Sequence, residues 1–162
     1  MIRPLSLIIF LLFLAFSASA QQGAAKQEVP NNPAAHPAPQ QPLPFSHKMH
    51  FVLGLGCQQC HTNPDPGAQM TFPDTTTCWT CHTETPQTIP WVRVYRLTPG
   101  VTWTHRRHLQ AGMQCIMCHG DVAQLDAMAQ TTSVLAMASC IGCHQAHNAS
   151  TACALCHAWP RP

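Results

Sequence analysis

The sequence predicts a mostly irregular fold with short α-helices, little β-structure and a core that side chains alone do not fill. Two observations favour this class. Eight glycines and fifteen prolines among 162 residues interrupt most windows in which a regular element could extend. Ten cysteines and eleven histidines occur beside only 9% charged residues, where about 25% is usual for a soluble domain. Much of the chain's bonding capacity is therefore expected to serve a bound group.

The N-terminal residues have the features of an export signal. Arg3 precedes an apolar run from Leu5 to Phe16, and residues 18–20 offer the small side chains that a signal peptidase needs. The run is shorter than the roughly 20 residues of a membrane-spanning helix. Residues 1–20 are therefore interpreted as a cleaved signal peptide, with an uncleaved anchor as the alternative. No transmembrane span is expected in the mature chain, which this interpretation places in the periplasm or cell envelope.

Residues 21–44 are interpreted as a Pro-rich linker. Proline fixes φ and removes amide donors, so this segment is expected to be an extended tether rather than part of a core. His36 lies within it and is expected to be solvated rather than a ligand. The prolines are Pro30, Pro33, Pro37, Pro39, Pro42 and Pro44.

Every cysteine belongs to one of five C-x-x-C-H units. Such a unit attaches c-type haem, because two thiols form thioethers with the porphyrin vinyl groups and the next histidine reaches the iron. The sequence therefore predicts five covalently attached haem c groups. The cysteines are Cys57 and Cys60, Cys78 and Cys81, Cys115 and Cys118, Cys140 and Cys143, and Cys153 and Cys156. The proximal histidines are His61, His82, His119, His144 and His157.

Other uses of these cysteines fit the pattern less well. Five disulfides would suit an exported chain, but a disulfide framework does not require a histidine after every second cysteine. Zinc sites commonly combine two C-x-x-C knuckles, and five knuckles leave one over. A thioredoxin-like motif would occur once, in a βαβ context that is missing from this sequence.

Further histidines supply candidate second ligands. His47 and His50 form an H-x-x-H pair six residues before a cysteine, and His105 and His108 repeat this arrangement 58 positions later. The shared spacing reveals an internal repeat in which residues 45–50 align with residues 103–108. With His147 added, five candidate distal ligands match five haems. Every iron is then expected to carry an imidazole on both faces.

The first block, Phe45-x-His47-Lys48-x-His50 before a C-x-x-C-H unit, resembles the opening of class III multihaem cytochromes, the cytochrome c3 and c7 group. The resemblance implies that the first histidine of each pair ligates the haem just downstream and the second ligates a different haem. By the resemblance, His47 serves the haem on Cys57/Cys60 and His105 that on Cys115/Cys118. His50 and His108 reach other haems, most simply those on Cys78/Cys81 and on Cys140/Cys143 or Cys153/Cys156.

The resemblance also suggests how the haem domain, residues 45–162, is organised. Residues 103–157 resemble a trihaem c7 unit and residues 45–82 a partial two-haem copy, with residues 83–102 as connector. His147 departs from the c7 pattern, because it lies between the last two haem units rather than before the second.

The connector carries a second resemblance. Residues 89–97 with Trp103-Thr104-His105 are similar to multihaem subunits of quinol-oxidising membrane complexes, such as pentahaem subunits of alternative complex III. This implies subunits of such a complex as partners. The alternative is a short extended linker whose Trp91 and Tyr95 pack on porphyrin.

Helices are expected to be short and to carry the C-x-x-C-H turns. The best candidate for a longer helix runs from Asp121 to Met137, where Asp121 can cap the first turn. Its loose apolar face would consist of Val122, Leu125, Ala129 and Ala136.

Function follows from the coordination. Imidazoles on both faces leave no position for a substrate, so the sequence predicts an electron-transfer protein rather than an enzyme, with redox proteins as partners. Without a methionine ligand, low potentials are expected. Two alternatives stay open: a multihaem reductase with one open iron, at the haem that His147 would serve, and a protomer of a haem polymer. A net charge of +2 gives no basic field for nucleic acid.

Overall fold

The structure is a computed structural model that describes residues 25–158. The export signal expected in residues 1–20 lies outside this range. Within residues 25–158, seven α-helices of four to ten residues and one 3₁₀ turn are connected by irregular segments. The helices are α1 His47–Val52, α2 Cys57–Cys60, α3 Thr75–Trp79, α4 His105–Gln110, α5 Cys115–His119, α6 Met137–Ala146 and α7 Cys153–Cys156, and the 3₁₀ turn is Val122–Gln124.

The expected fold class is confirmed. Between residues 25 and 158 the β-structure consists of two isolated bridges, Asn31 to Thr132 and Val101 to His157. No helix in this range is long and apolar enough to cross a membrane. Every C-x-x-C-H unit has its first cysteine on a helix, although α3 ends at Trp79, before Cys81 and His82.

Side chains alone build almost no core. Among the described residues, Val29 is the single apolar residue with less than a tenth of its surface exposed. A cleft of about 1390 Å³ takes the place of a core, and the rings of His47, His61, His105 and His119 line it. With so few apolar side chains buried, the hydrophobic effect among side chains contributes little to the stability of this fold. The interior is therefore shaped for something other than side chains.

The first turn of each helix with an H-x-x-H pair is hydrogen-bonded to the backbone of the opposite repeat. In α1 the N–H of Lys48 donates to the carbonyl oxygen of Leu125 at 3.1 Å, and in α4 the N–H of Arg106 donates to that of Gly67 at 3.1 Å. Arg106 follows Lys48 by 58 positions, and Leu125 follows Gly67 by the same number. Each repeat therefore caps the histidine helix of the other. The two bonds join equivalent positions of the two repeats.

Side chains at the two helix starts also bond to the facing repeat. Ser46 accepts from the N–H of Met49, which satisfies an amide that the start of α1 leaves unpaired, and it donates to Asp126 Oδ1 at 2.9 Å. At the equivalent position Thr104 donates to the carbonyl oxygen of Gly67 at 2.8 Å. The bonds to Asp126 and Gly67 place both histidine pairs against the facing repeat.

The helix expected from Asp121 to Met137 is wrong. Helical structure ends at Gln124 and resumes at Met137. Between these two residues the backbone bonds to distant parts of the chain. The N–H of Asn32 donates to the carbonyl oxygen of Thr131, and the N–H of Thr131 donates to Tyr95 Oη. These tertiary contacts override the helix propensity of the segment.

The Pro-rich segment is extended, but its first part is not a free tether. The N–H groups of Glu28 and Val29 both donate to the carbonyl oxygen of Met117 at 3.0 Å, and the N–H of Ser133 donates to that of Pro30 at 2.9 Å. Val29 is 5% exposed. Burial of one apolar side chain and several backbone bonds hold this strap, residues 27–33, against helix α5 and the segment before helix α6.

Candidate haem sites

Four pairs of imidazole rings face each other across the structure. We number the C-x-x-C-H units in chain order as sites 1 to 5, so that site 1 ends at His61 and site 5 at His157. The ring centroids are separated by 6.5 Å at site 1 (His47 and His61), 6.2 Å at site 2 (His50 and His82), 6.4 Å at site 3 (His105 and His119) and 6.3 Å at site 4 (His108 and His144).

This spacing fits a metal between the rings. An imidazole nitrogen binds a metal at about 2 Å, and about 1.2 Å more separates that nitrogen from its ring centre. Two opposed imidazoles on one iron therefore place their centroids roughly 6.4 Å apart. Stacked rings in van der Waals contact would lie closer. The donor set, two thiols and two imidazoles at each of these sites, is the one that c-type haem requires.

Hydrogen bonds at Nδ1 orient five of the rings. Each Nδ1 lies within donor distance of a backbone carbonyl oxygen, which fixes the proton there and leaves the Nε2 lone pair available to a metal. The contacts are His50 to Ser46 at 2.8 Å, His61 to Thr71 at 2.7 Å, His105 to Ala68 at 3.0 Å, His108 to Thr104 at 2.8 Å and His144 to Ser150 at 2.6 Å.

Burial keeps the central imidazoles neutral. It lowers the pKa of His119 to about 4, with smaller contributions from His105 and His61. Burial also lowers the pKa of His47 and of His105. A neutral imidazole is the form that binds iron, so these side chains are ready for ligation at neutral pH.

Buried polar atoms without partners also fit a bound porphyrin. The indole nitrogen of Trp91 and the Nδ1 atoms of His47 and His119 are buried and make no hydrogen bond. Such atoms cost free energy unless a partner reaches them. Trp91 lines the cleft, where a porphyrin carboxylate would be an acceptor for its N–H. The residues present therefore fit haem at sites 1 to 4.

An aromatic ring positions each H-x-x-H pair. Phe45 stacks on His50 with centroids 4.4 Å apart and meets His47 edge-on at 5.0 Å. Trp103 stacks on His108 at 4.9 Å and meets His105 edge-on at 4.2 Å. The two aromatic residues occupy equivalent positions in the repeat. That equivalence, visible in the sequence, could have indicated that both pack on the histidine pair that follows them. Sequence reasoning aligned them but assigned them no function.

The cysteines place the sites in a series. The thiols of Cys57 in the first repeat and Cys115 in the second interact, which lowers the pKa of Cys57 to about 6 and raises that of Cys115. Burial raises the pKa of Cys60, with a smaller contribution from Cys78. These contacts make site 1 the neighbour of sites 2 and 3.

The series continues in the second repeat. Burial raises the pKa of Cys118, with a smaller contribution from Cys143. Burial also raises the pKa of Cys140, with a smaller contribution from Cys156. Helix α4 carries a ring of both site 3 and site 4, and Cys140 of site 4 interacts with Cys156 of site 5, so site 4 lies near both.

Site 5 differs from the others. Its helix α7 is joined to residues 100–102, where the N–H of Thr102 donates to the carbonyl oxygen of Cys156 at 2.7 Å. The expected ligand His147 lies elsewhere, with Nε2 at 2.7 Å from Glu28 Oε2. His36 is exposed in the extended segment. Glu28 was missed by sequence reasoning, because no local motif links a residue of the Pro-rich segment to a haem unit.

The connector contacts both repeats. Trp91 meets Phe45 edge-on at 5.9 Å, and Tyr95 meets His119 edge-on at 4.8 Å. Arg93 lies over the ring of Phe72 at 4.7 Å. In the connector, Trp91 therefore packs on Phe45 and Tyr95 on the imidazole of His119 at site 3.

Fold and donor set together define a multihaem c-type protein. The model of the class III cytochrome c family matches residues 22–133, which include sites 1 to 3. The chain belongs to the class III cytochrome c family. It is accordingly an electron-transfer protein with covalently bound haem c that exchanges electrons with redox partners. No curated protein matches the chain.

Proposed function

We propose that the protein carries five haem c groups and conducts electrons between partner proteins along sites 2, 1, 3, 4 and 5. The single observation that carries the proposal is the set of four opposed imidazole pairs at 6.2 to 6.5 Å. When bound, each haem iron gains and loses one electron. The residues of the chain determine where each haem lies and keep substrates and oxygen away from the iron.

Axial ligation is assigned to the paired histidines. His47 and His61 hold site 1, His50 and His82 site 2, His105 and His119 site 3, and His108 and His144 site 4. The proximal ligand of site 5 is His157. Because the pairs leave no vacant position at sites 1 to 4, these sites exclude substrates and oxygen. Imidazole on both faces, without methionine, favours low potentials.

The order of the sites supports conduction over the length of the molecule. Helices α1 and α4 each supply ligands to two sites, so that the distance between those sites is set by one rigid turn of helix. The contact of Cys57 with Cys115 joins the two pairs of sites at the centre. A path of close steps therefore runs from one repeat into the other.

Entry and exit are assigned to the ends of the series. Of the ten cysteines, only Cys81 of site 2 and Cys153 of site 5 are exposed. Trp79, next to Cys78 of site 2, is 43% exposed, and Leu155, next to Cys156 of site 5, is 41% exposed. These exposed apolar side chains are where redox proteins would dock. Subunits of a quinol-oxidising membrane complex, in the periplasm or cell envelope, are the proposed partners, by the resemblance of the connector.

The proposal is tested on the exported protein. An intact mass should show five haems and loss of residues 1–20. The reduced protein should bind no carbon monoxide at sites 1 to 4, and it should purify from membranes together with quinol-oxidising subunits. A mass without five added haems would refute the cofactor count. Carbon monoxide binding to one of the five haems would favour a reductase with an open iron, and chains joined end to end through haem would favour the polymer.

A further inference from the structure

A carboxylate from the N-terminal strap lies at the edge of site 4. Glu28 Oε2 is 3.6 Å from Cys143 Sγ and 2.7 Å from His147 Nε2. None of the C-x-x-C-H or H-x-x-H motifs includes Glu28 or explains why His147 points to it. The inference drawn from this contact rests on the proposed function, since it concerns the haem that site 4 would hold.

The strap fixes this carboxylate in place. The backbone N–H of Glu28 donates to the carbonyl oxygen of Met117, and the next residue, Val29, is buried. Thr132, 1% exposed, pairs with Asn31 through a β-bridge on the same strap. Folding has already ordered the backbone of the strap. Holding the carboxylate beside site 4 therefore costs little additional conformational entropy.

His147 is held equally well from its own side. It caps the end of α6, where its backbone N–H donates to the carbonyl oxygen of Cys143 at 3.0 Å. Its side chain is 40% exposed and that of Glu28 35% exposed. Once Cys143 is joined to haem it has no S–H to donate, so the imidazole N–H is the donor that remains for Glu28 Oε2.

We propose that Glu28, held by His147, lowers the midpoint potential of the haem at site 4, and that His147 acts as this partner rather than as an iron ligand. The physical reason is charge. Oxidised haem carries one more positive charge than reduced haem, and a fixed carboxylate beside the attachment sulfur stabilises the oxidised form. Partial exposure moderates the effect but does not remove it.

The decisive variant is Glu28→Gln, which removes the charge and keeps the shape. Redox titration followed by haem absorbance, at constant pH and ionic strength, should show one midpoint potential raised and the others unchanged. The haem affected should be the one whose NMR signals also change in His108→Met, which alters site 4. Glu84→Gln, an exposed carboxylate after site 2, removes the same charge elsewhere and should leave that midpoint unchanged.

His147→Gln tests the second half of the proposal. If His147 is a partner of Glu28, the low-spin haem content of the variant equals that of the wild type. Loss of one low-spin haem would show that His147 is a ligand and would overturn the proposal. Glu28→Asp keeps the charge, so a potential that rises in Glu28→Asp as much as in Glu28→Gln would also overturn it.

The outcomes separate this inference from the proposed function. An unchanged titration in Glu28→Gln, with five haems present by mass, refutes the role of Glu28 and leaves electron transfer intact. Should Glu28→Gln not accumulate, the comparison of Glu28→Asp with His147→Gln decides, because the first keeps the charge and the second keeps the strap.

Discussion

The rings of His50 and His82 lie 6.2 Å apart although His50 sits on the same short helix as His47, whose ring faces His61. One helix therefore serves two sites. The second repeat has the same arrangement, with His105 and His108 on α4. Residues three apart on a helix are neighbours on its surface, so the two sites of each repeat are held at a fixed separation.

The first prediction concerns the reach of His50. Replacing His50 by Met should raise the midpoint potential of the haem at site 2, since a thioether ligand favours the reduced iron. The haem at site 1 should keep its potential, although it lies nearer in sequence. Potentiometric titration with site-resolved NMR makes the measurement.

His108→Met is the matched variant in the other repeat. It should act on site 4 and leave site 3 unchanged. A response confined to site 1 in His50→Met, or to site 3 in His108→Met, would contradict the pairing of rings described above.

The second prediction concerns two classes of ligand geometry. Ring planes are nearly parallel at sites 1 and 3, at 17° and 11°, and tilted at sites 2 and 4, at 45° and 41°. The relative orientation of two imidazoles sets the splitting of the iron d orbitals. Electron paramagnetic resonance of the oxidised protein should therefore show two low-spin classes, each with at least two haems. A single class would be incompatible with these angles.

The third prediction concerns the turn that caps α4. Gly67 has φ +87°, and a Cβ there would lie 2.6 Å from Arg106 Cβ. Gly67→Ala should lower the free energy of unfolding by about 3 kcal/mol, from left-handed strain and overpacking together. Chemical denaturation of the haem-loaded protein measures it.

Gly54 provides the control for this substitution. Its φ is +82°, but a Cβ there would meet nothing within 4 Å. Gly54→Ala should cost only about 1 kcal/mol, from backbone strain alone. Equal losses in the two variants would show that the contact with Arg106 is unimportant.

The fourth prediction concerns the ring that packs on the first histidine pair. Phe45→Ala should lower the free energy of unfolding by about 2 kcal/mol, because the half-buried ring loses its contacts with His47 and His50. Phe45→Leu keeps much of the apolar volume and should cost about 1 kcal/mol. Thermal unfolding followed by haem absorbance compares the two. If Leu costs as much as Ala, the ring contacts rather than volume explain the whole loss.

Sequence reasoning identified the haem units and the repeat because both are written in local spacing. The C-x-x-C-H turn depends on five consecutive residues, and the equivalence of Phe45 and Trp103 is visible in an alignment of the chain with itself. The helix expected from Asp121 failed for the opposite reason. Its backbone groups bond to residues as distant as Asn32 and Tyr95, which no window of sequence contains.

The sequence by itself determined the attachment chemistry, the number of units and the two histidine pairs, since each follows from residues a few positions apart. The family resemblance suggested most ring pairings, but only the tertiary structure placed the ring of His108 opposite that of His144 and His147 beside Glu28. These depend on long-range backbone bonds, such as Lys48 to Leu125 and Arg106 to Gly67. Contacts of that kind arise when two distant segments meet, and the spacing within either segment carries no record of the other.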